Sequence, residues 1–238
     1  MISVCMATYN GEKYLKEQID SILCQLNSTD ELIISDDGST DGTIEIIEGY
    51  SDGRIKLYKN SFHNFVANFE FALKQAQGDY VFLCDQDDIW LENKIATMSG
   101  YLDEYDLVMS DCRLIAEDRS VLFDSYFQLR KSHKGLMRNL IINSYMGCCM
   151  AFRRQLLSYV LPFPHQICSH DMWIGLVAEL KGDIFLIPQQ LILHRRHGRN
   201  ASATGEKSRY SLWHQLVYRC QMIWCLGRFC CRGFMKNN

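Results

Sequence analysis

The chain has 238 residues, a formal net charge of -3, 47% hydrophobic residues and only 3 prolines, which excludes a disordered protein and suits one large domain, or one domain with an appendage. No uninterrupted apolar run approaches the ~18–20 residues of a membrane-spanning helix, and no nucleic-acid partner is expected. The 11 cysteines show no secreted framework and no CxxC zinc pairs, and Ile2-Ser3-Val4 enters a strand without a basic, leader-like start, so a reducing cytoplasm is expected.

In chain order, Ile2 to Thr8 reads as an apolar strand, followed by a helix with Leu15, Ile19, Ile22 and Leu23 at helical spacing. Glu31 to Ser35 is a second strand, broken by the turn formers Asp36-Asp37-Gly38-Ser39. Thr40 or Asp41 then caps a helix through Ile44 and Ile47, and Ile55 to Tyr58 is a third strand. Asn64 to Ala76 is helical, and Tyr80 to Cys84 is a fourth strand that ends in Asp85-Gln86-Asp87-Asp88. A helix follows Trp90 to about Tyr105, and Leu107 to Asp111 returns as a strand. Residues 113–135 suit a loop or hairpin and carry no assigned chemistry. Leu136 to Asn143 looks helical, Met146 to Phe152 is a strand or turn, and Arg154 to Val160 a short helix stopped near Pro162. His170-Asp171 opens a helix ended by Gly182, and Ile184 to Ile187 and Leu191 to Leu193 are two further strands.

The alternation of strand and helix in the first half implies an α/β fold, a mostly parallel central sheet flanked by helices. Ligands of such sheets bind beyond the carboxyl ends of the strands. Three polar clusters stand at such ends: Thr8-Tyr9-Asn10, Asp36 to Ser39, and Asp85 to Asp88. The last packs three carboxylates into four positions, which would repel one another unless a cation or hydrogen-bond donors met them. A hard divalent ion holding a phosphorylated substrate is the functional reading; an acidic turn after a strand is the bland one.

Ser3-Val4-x-x-Ala7-Thr8-Tyr9-Asn10-Gly11, Asp36-Asp37-Gly38-Ser39-x-Asp41 and Asp85-Gln86-Asp87-Asp88 together resemble, in order and spacing, the family 2 glycosyltransferases. These are inverting enzymes of the GT-A (Rossmann-like) fold that use nucleotide sugars. The Asp-Gln-Asp-Asp-Ile-Trp wording is similar to the rhamnosyltransferase-like bacterial subgroup of surface-polysaccharide synthesis, such as O-antigen or capsule. The resemblance covers roughly residues 1–203 and is densest before Trp90.

It implies that Thr8, Tyr9, Asp36 and Asp37 surround the nucleotide's base and ribose. Asp85 and Asp87 fit the DXD motif, with Asp87 the better ligand for Mn²⁺ or Mg²⁺ and Asp85 also near the donor; Asp88 supports the turn or touches the donor sugar. The family's general base lies in a Glu-Asp pair opening a helix, matched here by His170-Asp171, so Asp171 is the candidate base. The alternative for Asp171 is a helix N-cap, a role compatible with catalysis. Leu193 to Ser202 resembles the Arg-x-His-Gly-x-Asn-x-Ser signature, which makes His197 a third metal ligand and lets Arg195, Arg196 and Arg199 bind phosphate or remain solvated. His194 is not expected to be a ligand. Gly147-Cys148-Cys149 matches an acceptor-side segment.

The implied reaction moves a sugar from a UDP- or dTDP-linked donor to a saccharide acceptor, lipid-linked in the favoured reading. A nucleotidyltransferase and a catalytically silent nucleotide-sugar-binding subunit stay open as alternatives.

Residues 1–205 form the expected catalytic domain, and 206–238 a basic C-terminal helical extension. On a helical wheel Leu212, Trp213, Leu216, Val217, Cys220, Ile223 and Trp224 share one face, and no acidic residue occurs from Lys207 to Asn238. Such a helix either lies peripherally on the inner face of an anionic membrane or packs on protein, and the sequence leaves both open.

Overall fold

The computed structural model describes residues 1–198, 200 and 211–236, with the side chains of 212 and 232–236 excepted. In chain order the elements are β1 (Ile2–Thr8), α1 (Leu15–Leu23), β2 (Glu31–Asp36), α2 (Thr43–Glu48), β3 (Ile55–Lys59), α3 (Phe65–Gln75), β4 (Tyr80–Cys84) and β5 (Ile89–Trp90). There follow α4 (Lys94–Leu102), β6 (Leu107–Ile115), β7 (Val121–Phe123), α5 (Tyr126–Arg130), α6 (Leu136–Ile141), β8 (Met150–Arg153), α7 (Leu157–Val160), α8 (His170–Lys181), β9 (Ile184–Arg195) and α9 (Leu212–Lys236).

One sheet runs in the order β3-β2-β1-β4-β8-β6-β9-β5, with β7 paired to β6. β3, β2, β1 and β4 are mutually parallel, as the alternation of strand and helix implies. Beyond β4 the sheet becomes mixed, because β8 runs antiparallel to both β4 and β6 while β6 and β9 are parallel. Two antiparallel steps restore the direction, so β1, β2, β4, β6 and β9 all point the same way. Their carboxyl ends, with the amino end of α8, form a single edge.

The apolar strands are buried on both faces: Val4 to Met6, Leu32 to Ile34 and Val81 to Cys84 are inaccessible to water. Each such side chain contributes about 1.5–3 kcal/mol of apolar burial. α1 covers one face with Leu15, Ile19 and Ile22, and α3 covers the other with Phe69, Ala72 and Leu73. The Asn64 side chain caps α3 by accepting from the Val66 and Ala67 N–H groups. Asn68, polar and buried within α3, donates to the Thr8 and Ser35 carbonyls and so binds the helix to the ends of β1 and β2.

Several boundaries differ from the sequence expectation. The two strands expected over Ile184–Ile187 and Leu191–Leu193 are one, β9, because a register shift against Ser110 and Asp111 absorbs Pro188 and Gln189. The region 113–135 continues β6 to Ile115, forms a hairpin with the exposed β7, and ends in α5. α2 begins at Thr43 with Gly42 at its cap position, and Asp41 accepts from the Thr43 N–H just inside it. The boundary expected at 205/206 lies outside the described residues.

Candidate active site

The three polar clusters meet at the shared strand edge and are bonded to one another. The Gln86 amide accepts from the Tyr9 N–H at 2.9 Å and donates to the Tyr9 carbonyl at 3.0 Å, so the acidic loop after β4 is tied to the exit of β1. A Cβ on Gly11 would lie 2.4 Å from Gln86 Oε1, which is why this turn takes glycine. Sequence reasoning missed Gln86, since a glutamine between two aspartates carries no signal of a cross-strand partner. The Tyr9 side chain remains 54% exposed, leaving its ring face available.

Asp36 and Asp37 are nearly inaccessible and spend their oxygens on loop construction. Asp36 accepts from the Thr8 hydroxyl at 2.8 Å, the Ser39 N–H at 2.8 Å and the Gly38 N–H at 3.1 Å. Asp37 accepts from the Phe62, His63 and Asn64 N–H groups. The pair thus shapes the floor beneath Thr8 and Tyr9, while the exposed ring above it belongs to Tyr9.

In the acidic loop the three aspartates have different surroundings. Burial and the neighbouring Asp88 and Asp87 charges push the partly buried Asp85 carboxyl well above the usual range. Asp87 Oδ2 lies 2.7 Å from His197 Nε2 and accepts from the Asn200 amide at 3.2 Å. Asp88 is fully buried; its Oδ1 lies 2.9 Å from His194 Nδ1 and accepts from the Arg195 N–H at 3.0 Å. Burial raises the Asp88 carboxyl, but His194 and the Arg195 N–H outweigh it and hold it low. For His194, burial pulls down and Asp88 raises, leaving it well above its ordinary value. Asp88 and His194 are therefore an internal ion pair supporting the turn.

The donor set fits a divalent cation. Burial, with the Asp88 and Asp87 charges, raises Asp85, and a cation would relieve that crowding, with Asp87 and His197 as candidate ligands. Among the described residues the group whose donor atoms lie within 4.8 Å of one another is a different one, Asp88, Cys148 and His194, in which Asp88 and His194 already neutralise each other. Asp85, Asp87 and His197, the expected ligands, are not gathered that closely.

The basic loop after β9 divides into distinct roles. Arg195 is 2% exposed; its guanidinium donates to the Asp87 and Glu117 carbonyls and to Glu17, and lies over the Tyr14 ring. It is a strut beneath the acidic loop and not an open phosphate ligand. Arg196 is largely buried beside it, and its backbone N–H pairs with the Ile115 carbonyl. Arg199 and Ser202 lie outside the described residues.

Asp171 stands in the first turn of α8, and Ser169 holds the cap position, accepting from the Met172 N–H. Asp171 Oδ1 accepts from the same N–H at 2.6 Å. Burial pushes the Asp171 carboxyl up to about 6 against the pull of the Met172 and Gly147 N–H groups, and its charge in turn adds to the rise at Asp85. Thus the base candidate lies within electrostatic reach of the acidic loop. His170 is buried and stacked on Phe69 at 3.9 Å, and burial drops its imidazole to about 3, so it is neutral. A Cβ on Gly147 would come 3.0 Å from His170 Nε2 and 3.5 Å from Asp171 Cβ, so this glycine lets the segment before β8 pack closely against the start of α8.

Comparison with known proteins bears on the family and the fold. The profile of glycosyl transferase family 2 fits residues 3–161. An uncharacterised protein of Mycobacterium tuberculosis is 28% identical over 223 residues, covering 89% of this chain and 63% of its own. The chain thus spans about 63% of the length of the curated relatives it first matches. UDP-Glc:alpha-D-GlcNAc-diphosphoundecaprenol beta-1,3-glucosyltransferase WfgD of Escherichia coli is 27% identical, covering 75% of this chain and 70% of its own. The crystal structure of S. aureus TarS 1-349 in complex with UDP-GlcNAc shares the fold, with a TM-score of 0.71 at 22% identity over 93% of this chain and 66% of that one.

Proposed function

The chain belongs to glycosyl transferase family 2, and from that membership we propose that it moves a sugar from a nucleoside-diphosphate donor to a saccharide hydroxyl with inversion. The observation that carries this reading is the placement of Asp171, a partly buried carboxyl with its pKa raised to about 6, across from the Asp85–Asp88 loop. In this reading one side of the site takes the diphosphate and the other the acceptor proton.

In this reading Tyr9 and Thr8 receive the base and ribose over the floor made by Asp36 and Asp37. Asp85, Asp87 and His197 would hold Mn²⁺ or Mg²⁺, and such an ion would supply positive charge beside the diphosphate. Arg196 adds charge from the neighbouring loop. Asp171 takes the proton of the acceptor hydroxyl while that oxygen forms its bond to the anomeric carbon. The bond from that carbon to the diphosphate oxygen breaks on the opposite face, with inversion. His170 is neutral and leaves the base function to Asp171 alone.

The E. coli relative named above is a glucosyltransferase for a diphosphoundecaprenol-linked sugar, and a mannosyltransferase from Pyrobaculum calidifontis with the same fold was solved with GDP-Man and Mn²⁺. The first supports a lipid-linked saccharide acceptor and a UDP-linked donor, the second a divalent metal. A dTDP-linked donor and a place in surface-polysaccharide synthesis at the cytoplasmic side of a membrane are part of the proposal on the motif resemblance alone. No helix among the described residues is long and apolar enough to cross one.

The test is turnover by the purified chain with Mn²⁺ and a panel of UDP-, dTDP- and GDP-sugars, with the anomeric configuration of the product read by NMR. Transfer or slow donor hydrolysis with inversion is expected. Nucleotide binding with neither would replace this reading with a silent binding subunit.

A further inference from the structure

α9 has two unlike faces. Met222, Cys225 and Leu226 are buried against the domain, and Phe229 meets Trp173 of α8 edge-on at 6.0 Å. At 100° per residue the stripe Trp213, Leu216, Ile223 and Trp224 lies on the opposite side, and each of these is about half exposed or more, Trp213 to 70%.

This stripe is extended by a second helix. Arg219 donates from its guanidinium to the Ile141 carbonyl at the end of α6, fastening α9 beside it. α6 in turn presents Met137, 68% exposed, together with Ile141 and Ile142. Large apolar side chains from two joined helices thus face water, where a soluble surface ordinarily scatters them.

The charge carried by the two segments themselves has one sign. No Asp or Glu occurs between Asp124 and Asp171, or from Lys207 to Asn238. Lys131, Lys134 and Arg138 are exposed on and before α6, and Arg228 is exposed on α9, stacked on Trp224 at 4.7 Å. Among the described residues the one carboxylate bonded to the start of α6, Glu179 of α8, is engaged by the Gly135 N–H and the Tyr145 hydroxyl. Apolar residues with tryptophans among them, bordered chiefly by cations, fit an interface with both an apolar layer and a negative surface.

We propose that α6 and α9 together form a docking surface for an anionic lipid bilayer, with α9 lying in the headgroup plane. The cations meet lipid phosphates, and the tryptophans and aliphatic side chains enter the acyl boundary. The surface lies outside the catalytic cleft, so the inference does not depend on the transfer reaction, and binding is measurable without turnover.

The full chain is pelleted with phosphatidylglycerol vesicles and with phosphatidylcholine vesicles, at low and high salt. Wild type is expected to pellet with the anionic vesicles, less so in salt, and with a blue shift of tryptophan emission. The exposed triple variant Trp213→Ser/Ile223→Ser/Trp224→Ser is expected to bind at least about tenfold more weakly, with its melting temperature kept, since affinity follows the apolar area inserted. Met137→Ser/Ile141→Ser is expected to weaken binding as well, because α6 shares the surface. Wild type remaining in the supernatant, or undiminished pelleting of the triple variant, overturns the proposal. A wild-type dimer by light scattering that the triple variant loses, without vesicle binding, assigns the face to a second copy and equally overturns it.

Discussion

His197 Nε2 lies 2.7 Å from Asp87 Oδ2, so the loop leaving the longest strand is fastened to the acidic loop leaving a central one. Tyr14 stacks on the His197 ring at 5.1 Å and Arg195 lies over Tyr14, which holds the imidazole from its other side. The arrangement fixes the position of the imidazole against the Asp87 carboxylate before any substrate arrives.

Asp87→Asn and His197→Ala are each expected to remove the Mn²⁺-dependent part of the melting-temperature rise given by UDP, because a ligand raises stability only through the folded state it binds. Partners of metal ligands commonly cost ~10–100-fold when lost, so these direct ligands are expected to cost at least ~100-fold in transfer. Unchanged metal-dependent stabilisation in both variants would remove the ion from this loop.

Asp171→Asn is expected to lower transfer by ~10²–10⁴-fold while donor binding stays. A base must be ionised to act, and burial holds Asp171 near 6, so wild-type kcat/KM should rise with pH through about 6 and level off above it. The stability consequence has the opposite sign. A carboxyl raised on folding adds stability below its unfolded pKa and loses it as pH climbs through the folded value. The Asn variant should therefore melt at or above wild type at pH 7, and the difference should shrink toward pH 4.

Gln86→Ala removes two neutral hydrogen bonds to Tyr9, worth about 1–3 kcal/mol together, and is expected to lower the urea midpoint and raise the donor KM. Gly11→Ala should act on the same contact, since its Cβ collides with Gln86 Oε1. The double variant is then expected to lose less than the sum of the singles. Strict additivity would disconnect Gly11 from Gln86.

Asp88→Asn leaves His194 buried without its counter-charge, and breaking such a pair costs about 3–5 kcal/mol. Urea unfolding should show a lower midpoint at an unchanged slope. A loss of transfer without loss of stability would instead place Asp88 against the donor sugar.

The sequence carried the first half of the molecule well. Strands buried on both faces read as short unbroken apolar runs, as in Leu32 to Ile34 and Val81 to Cys84, and α1 and α3 show their buried stripes at helical spacing. β5 and β7 have two and three residues, too few for a period to register. β9 stayed hidden as one strand because Pro188 interrupts its pattern and only the shifted pairing with β6 carries the chain across.

The motif positions supplied the candidates: carboxylates at strand ends, an aspartate opening α8 and a histidine after β9. What those residues do to one another depended on sheet order. Asp88 and Arg195 are 107 positions apart, and they meet because β5 pairs with β9 beside the acidic loop. That contact made Arg195 a strut and His194 the partner of a buried aspartate, although local sequence gave both the look of a solvated basic loop.

Sequence alone determined the residue types and their spacing, because apolar burial and turn formation act over a few neighbouring positions. The tertiary structure decided which carboxylates are committed to loops, which face the cleft, and which side of α9 is packed. Burial, charge pairing and the pKa of Asp171 come from distant segments brought within a few ångströms, which no local pattern encodes. The amphipathic pattern of 212–224 left a membrane and a protein contact equally open. The packing of Met222, Cys225 and Leu226 beneath, and of α6 alongside, fixed which face is left outward.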